Sequence, residues 1–487
     1  MALGLLSIGM PATAFERYQA LHDAAEHLYR DLVTRTGSGD AAENMIADAQ
    51  KAVGLTQPAQ PLPVQAPVAL EEGSIVLLDL RIALAQLAVL AGTNDQLSVV
   101  RAQSAEKPQV IAIQDGLVDL AAVRQWIEAR PDSDQLITAD VLRVPLVVLG
   151  GGALRMNPGD KIALSRADGA FLANFGMLMV DRASISGTTE ANAQVPTFAP
   201  FVTTVGSGAF QATGADLSRL GFGETALFAG VSVTNSGIYP ALRPSMVTGT
   251  ILKETGGLTL TGTQGAVVQG NVIHAPEGRA LTLNGATQTH VIANILLDGS
   301  ARISNRSDGT ALAQNILLGA DEAGITVNNA SRNTVLRDNF IWRSATNGIS
   351  VADSDCTLIN QNTLIGNDQK GMVLRTSRRS EVSDNAIIGN RSDGLMISNQ
   401  PQDTETAVID NLFAANRIGL SSRSASTLRL VGNDFSQQFP RFLGGDITVQ
   451  TGQIVNDLVG VHEISINAGT VESFRAPAED CLWERGE

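Results

Sequence analysis

Arginine carries most of the chemical promise in this sequence. Arg302, Arg306, Arg343, Arg375, Arg378 and Arg379 fall close together in a chain whose 34 basic and 49 acidic residues leave a net charge of −15. A guanidinium grips a carboxylate with a two-pronged hydrogen bond, so a row of them suits an acidic polymer. Solvated turns and local ion pairs are the competing reading. Trp342, beside Arg343, reads either as a stacking platform for a sugar ring or as a core residue at a turn. Histidine offers less. His274 and His290 are the two in the same region and the weak candidates for proton transfer, whereas His22 and His27 lie on an N-terminal helix and read as solvated, and His462 lies in the tail.

Other chemistries find no motif. No GxSxG, HExxH or phosphate loop is present, and Gly150-Gly151-Gly152 reads as a turn. The pentapeptide NRSDG, at 305–309 and again at 390–394, reads as a turn with no chemistry required. Asp353 and Asp355 make only a thin acidic cluster. Neither a metal nor a cofactor is expected. Cys356 and Cys481 cannot make a disulfide framework, and whether they pair is open. The acidic balance argues against nucleic acid as a partner. No run of eighteen apolar residues exists, so no membrane-spanning helix is expected.

The elements that position these residues are repeats. An Asn followed two residues later by Ile, Leu or Phe recurs at Asn271, Asn294, Asn315, Asn339, Asn362, Asn385, Asn411 and Asn433. A second ladder runs Gly324, Gly348, Gly371, Gly394 and Gly419, each opening a short alternating strand. A period near 23 built from short strands and turns predicts a parallel β-helix, one coil per repeat, with inward apolar rows and Asn residues bonding one another at a turn. One outward row is then Thr282, Arg302, Thr326, Ser350, Val373 and Met396; its neighbour is Asn284, Ser304, Asn328, Ala352, Arg375 and Ser398. Arg302 and Arg375 thus face outward, and Asn284 and Asn328 add hydrogen-bonding groups for a sugar.

The predicted fold is all-β: a right-handed parallel β-helix over 141–440, with a helical N-terminal region at 15–56, a Pro-rich linker at 57–70, a small mixed α/β cap at 71–140 and a C-terminal cap or tail at 441–487. Within the cap, VIAIQDG (110–116) reads as a strand and LAAVRQWIEA (120–129) as a helix. Residues 1–14, apolar and closing on Ala12-Thr13-Ala14, read as the remnant of a secretory signal; a buried N-terminal segment is the other reading.

The stretch VLRVPLVVLGGGALRMNPGDKIALSRADGAFLANFGMLMVDRASISG (141–187), followed by FAPFVTTVGSGAFQATGADLSRLGF (198–222), GVSVTN (230–235) and LRPS (242–245), resembles the periplasmic mannuronan C-5 epimerases of alginate biosynthesis. The resemblance covers roughly 141–440. It implies a right-handed β-helix, a periplasmic address and a polyuronate lying along one face. Other periplasmic proteins of polysaccharide synthesis or export, met through the N-terminal helices, are the partners it suggests. The family's Asp-Pro-His-Asp catalytic motif falls here on Thr282, Leu283, Asn284 and Gly285. The preceding coil, aromatic in the family, reads ETGGLTLTGTQ (254–264), and the next, basic in the family, reads LDGSA (297–301). C-5 epimerisation needs a group that neutralises the uronate carboxylate, a base on one face of the sugar and an acid on the other. The expected function is therefore binding of an acidic exopolysaccharide by an epimerase-related protein without the family's catalytic residues. The alternatives are an epimerase or lyase using Arg302 or Arg375 with His274 or His290, and a structural or adhesive solenoid.

Overall fold

The computed structural model describes residues 14–55, 71–92, 96–104, 107–222, 225–235, 238–241, 243–276, 278–402, 404–469 and 481–482. The segment read as a signal remnant, apart from Ala14, and the whole Pro-rich linker lie outside the described residues. The chain is a parallel β-solenoid of about 13 turns with a few N-terminal helices. It divides into two compact units. One holds Gln60–Thr289 with Ala41–Glu43; the other holds Met1–Asp40, Asn44–Ala59 and His290–Glu487.

Each coil contributes one strand to each of three ladders. In the second unit the first ladder stacks Ala301–Ser304, Ile325–Val327, Ile349–Ala352, Met372–Arg375, Asp393–Ser398, Ile418–Arg423 and Arg441–Gly445, all parallel. The second ladder runs from His290–Ile292 to Thr427–Val431, and the third from Ile295–Leu297 to Asp434–Gln437. Alternation sends Ile325, Val327, Ile349, Val351, Met372, Leu374, Leu395 and Ile397 into a dry core at 0% exposure. Each such side chain contributes roughly 1.5–3 kcal/mol through burial.

The two sequence ladders have distinct physical jobs. Asn294, Asn315, Asn339, Asn362, Asn385, Asn411 and Asn433 are buried at one corner. Each but the last donates its side-chain amide to the carboxamide oxygen of the next, at 2.9–3.0 Å. That same oxygen accepts the backbone N–H of the preceding Asn. A second buried column, Asn367–Asn390–Asn416–Gln438, does likewise at another corner. Glycine recurs where coils approach too closely for a side chain: a Cβ on Gly371 would stand 2.6 Å from the Gly394 carbonyl oxygen.

The N-terminal helices are α1 (Ala14–Arg35), in the second unit, and α2 (Ala42–Val53), mostly so; in the first unit the mixed segment holds the strand Ser74–Asp79, α3 (Leu80–Ala91), α4 (Leu97–Arg101), the strand Gln109–Asp119 and α5 (Leu120–Glu128). Asp79 and Asp119 cap α3 and α5 through their carboxylates, at 2.8 Å each. The strand Gln109–Asp119 pairs in parallel with Leu146–Met156, so solenoid pairing begins inside the segment read as a cap. Leu80, Leu84 and Leu87 of α3 pack against Phe171, Phe198, Phe201, Phe222 and Phe228, closing that unit's core. In the second unit, Ile464–Asn467 pairs antiparallel with Thr427–Val431 and ends the second ladder.

Replacing Asn339 by Ala removes one rung and strands the Asn315 amide and the Leu312 carbonyl among buried groups. The expected loss is about 3 kcal/mol of unfolding free energy, measured by denaturant titration.

Candidate functional site

The first-ladder face of the second unit gathers positive charge. In register from coil to coil, one outward row is Arg302, Thr326, Ser350, Val373 and Met396, followed by Ser421. The neighbouring row is Ala352, Arg375, Ser398 and Arg423. Arg375 and Arg423 are exposed and Arg302 is half-buried. Two coils separate Arg375 from Arg423, so their Cα atoms are about 10 Å apart. Among the described residues none of these three guanidinium groups has a carboxylate partner.

The opposite edge of the same strands is basic as well. Lys370 precedes Met372–Arg375, Arg417 precedes Ile418–Arg423, and Arg441 opens the last strand in register with Ile418. Between them sits Asp393, buried at 7% exposure. Burial pushes its carboxyl above the usual range, while Lys370, the Ser421 hydroxyl and Arg417 pull the other way. Sequence reasoning missed Arg423, although it stands four residues after Gly419 just as Arg375 stands four after Gly371. It also passed over Asp393, the acid of the second NRSDG. A buried carboxyl and a turn aspartate look alike in sequence.

The remaining candidates are dispersed over other faces. His290 opens a second-ladder strand opposite Ala311, and His274 ends a third-ladder strand opposite Lys253 in the other unit. Neither lies on the ladder that carries Arg302 and Arg375, so the imidazole–guanidinium pair of the enzyme reading is not assembled there. In the first unit Thr282 and Asn284 point outward and half-buried, Leu283 points into the core at 0% exposure, and Gly285 begins a turn. Arg306 is exposed in the turn after Ala301–Ser304, and Asn328 is half-buried just past Ile325–Val327.

Trp342 ends the third-ladder strand Phe340–Trp342 and Arg343 follows it, where α1 packs. Trp342 is 1% exposed, so it is no open platform for a sugar. Its indole N–H donates to His22 Nδ1 at 3.1 Å, which corrects the reading of His22 as solvated; His27 is exposed. For Nδ1 to accept, that imidazole carries its proton on Nε2. Tyr29 donates to Asp298 at 2.6 Å. Tyr18 fits against Gly389, where a Cβ would come within 2.1 Å of its ring. Between α1 and the corner lies a cavity of about 320 Å³ lined by Tyr29, Asp298, Asp321, Trp342, Arg343 and Asp368. Three carboxylates against one guanidinium make it a poor host for a polyanion. Burial first, then the Asp298 hydrogen bond and charge, push the Tyr29 phenol up to about 12, against Arg343.

Cys356 and Cys481 form a disulfide across 125 residues, closing the question the sequence left open. The backbone N–H of Leu482, which follows it, donates to the side-chain oxygen of Asn333. No helix among the described residues is long and apolar enough to cross a membrane.

Residues 242–440 match the family profile of the periplasmic copper-binding protein NosD. A mannuronan C5-epimerase of Pseudomonas putida is 25% identical over 312 residues, covering 58% of each chain. This chain thus spans 58% of the length of that curated relative and is homologous to it over that part. The crystal structure of the periplasmic alginate epimerase AlgG superposes with a TM-score of 0.60 at 18% identity, covering 82% of this chain and 96% of that one. A mutant of that enzyme gives a TM-score of 0.61, covering 80% of this chain and 98% of that one. The fold is therefore the right-handed β-helix of the alginate epimerases. Among the described residues the donors of a copper site are not gathered. Both cysteines are consumed in the disulfide, and the described residues hold no cluster of three His, Cys, Asp or Glu side chains able to hold a metal.

The Tyr29–Asp298 latch is fully present below about pH 10 and is lost as pH rises through about 12, because the raised phenol belongs to the folded state. In ultraviolet titration of the folded protein, Tyr29→Phe removes the last phenolate transition. A wild-type titration with every tyrosine ionised by pH 11 would contradict the latch.

Proposed function

We propose that this protein binds an acidic exopolysaccharide of the alginate type along the first-ladder face of its second unit, without the alginate epimerases' catalytic set. The observation that carries this reading is the framed face: Lys370, Arg417 and Arg441 on one edge and Arg375 and Arg423 on the other, in a chain of net charge −15. A polyuronate repeats a carboxylate at every sugar, and parallel coils repeat an outward position about every 4.8 Å, so both ligand and site are periodic. Guanidinium groups without carboxylate partners are ready to bind one. The expected absence of the catalytic motif rests on the residues at 282–285, none of which is an acid or an imidazole.

The periplasm suits this reading. A disulfide persists in an oxidising compartment, and both the matched family and the epimerase of similar fold are named as periplasmic. Of the N-terminal helices, expected from sequence to meet partners, α1 turns Tyr18, His22 and Tyr29 onto the protein's own coils.

One observation keeps the enzyme alternative in view: Asp393 places a titratable acid on the ladder of Arg375. Epimerisation requires a base and an acid on opposite faces of the sugar, and the described first-ladder strands of the second unit offer no imidazole or phenol to pair with it. The adhesive-solenoid alternative called for an uncharged outer face, which the basic frame does not favour.

Proton NMR of poly-mannuronate in heavy water tests the proposal. The expected result is polymer line broadening without deuterium at C-5. Arg375→Ala and Arg423→Ala should each weaken binding about tenfold, and added salt should weaken it further. Deuterium at C-5 would make the chain an enzyme. Neither exchange nor broadening would remove this polymer as the ligand.

A further inference from the structure

Asp393 is oddly placed for a structural residue. It opens the strand Asp393–Ser398, and its carbonyl accepts the Gly371 N–H at 3.0 Å, which sets Lys370 beside it on the preceding coil. On the following coil it is in register with Ile418, next to Arg417. Its carboxyl lies by the hydroxyl of Ser421, a residue of the outward row. Three groups therefore face it from the packed coils: Lys370 from one side, Arg417 and Ser421 from the other. On its own coil Arg391 is engaged by Asp368 at 3.2 Å. Among the described residues no cation closes an ion pair on Asp393. An aspartate only 7% exposed, and closed into an ion pair with neither neighbouring cation, is costly for a fold to keep charged. Lys370 and Arg417 flank it from the two neighbouring coils without an ion pair to it, so their charges are available to a second carboxyl.

We propose that Lys370, Asp393 and Arg417 form a carboxyl subsite of the first-ladder face, in which one uronic-acid carboxylate of the bound polymer lies against the two cations and shares a proton with Asp393. This deepens the polyuronate reading and rests on it. Two carboxylates at hydrogen-bond distance cannot both stay ionised, so one proton enters from solvent when the ligand carboxylate arrives. The step is a proton uptake coupled to binding; no other bond forms or breaks. Binding at this subsite therefore tightens as pH falls, in contrast to the Arg375 and Arg423 contacts, whose guanidinium groups keep their charge throughout. Burial pushes the Asp393 carboxyl upward, the direction that eases uptake of this proton.

The experiment is calorimetric titration of a mannuronate oligosaccharide into the full chain at pH 5 and pH 7.5, in two buffers of different ionisation enthalpy. The wild type should take up close to one proton per bound ligand at the higher pH and bind about tenfold more tightly at the lower. Asp393→Asn should bind at both pH values with no proton uptake and no pH dependence. Arg417→Gln, at an exposed side chain, should weaken binding at both pH values while the uptake persists. Binding without proton uptake in the wild type, or with equal uptake in Asp393→Asn, overturns the subsite and leaves the polyuronate reading intact. If Asp393→Asn does not fold, unchanged affinity in Arg417→Gln overturns the subsite instead. No binding by any variant at either pH overturns the polyuronate reading, and the subsite with it.

Discussion

The structure depends on keeping a dry column of polar groups satisfied. Each coil must turn three times, and every turn brings backbone N–H and C=O groups into a core from which water is excluded. Asparagine solves this with one side chain that donates and accepts at once. Asn315 illustrates it: its amide serves Val291 and Asn339, and its oxygen serves the backbone and side chain of Asn294. Because the partner is always the same residue one coil on, the solution works only as an unbroken series. That requirement imposes the period near 23, aligns the glycines that allow close approach, and leaves the outward positions of each strand free of structural duty. Function is written on what remains.

Charge is distributed accordingly. The excess of acids over bases is spread over a chain in which the first-ladder face of the second unit goes against the trend. A polyanion approaching an acidic protein is repelled at long range and attracted only where cations cluster. The aromatic corner under α1 shows the reverse pattern, with Asp298, Asp321 and Asp368 around a single Arg343. Its contacts are inward and reciprocal: Trp342 to His22, Asp298 to Tyr29, Gly389 to Tyr18. Such a corner reads as an anchor for the N-terminal helix. The disulfide ties the other terminus to a middle coil, and a loop of 125 residues closed in this way restricts the unfolded chain by roughly 4–5 kcal/mol in the chain-entropy account.

The fold was legible in the sequence because its devices repeat. Asn294 through Asn433 and Gly324 through Gly419 announce the coil, and alternation from each glycine correctly put Arg302 and Arg375 on one outward face. What stayed illegible was anything that depends on two distant segments meeting. Trp342 and His22 are 320 residues apart, and no local pattern says that a helix will cover that corner. Ladder membership was equally hidden. His290 and Arg302 are twelve residues apart in sequence, yet two turns and a third-ladder strand between them put one on the second ladder and the other on the first. Asp393 drew no notice because a turn motif accounts for its sequence, while its burial depends on packing between coils that no local pattern shows.

Ladder geometry also bears on why proton-transfer groups are scarce where the cations gather. A solenoid face repeats small shapes well and assembles unlike groups badly, since each outward position faces a counterpart one coil away rather than a partner chosen for chemistry. Catalysis at a uronate needs at least three dissimilar groups converging on one sugar. Binding needs only like groups at a common spacing. Arg375 and Arg423, spaced by two coils with Ser398 between them, are what a repeating face readily produces. Asp393 breaks that regularity at one position only, and a lone irregularity inside a basic frame is better placed to tune the grip on one carboxyl than to carry both halves of a proton exchange.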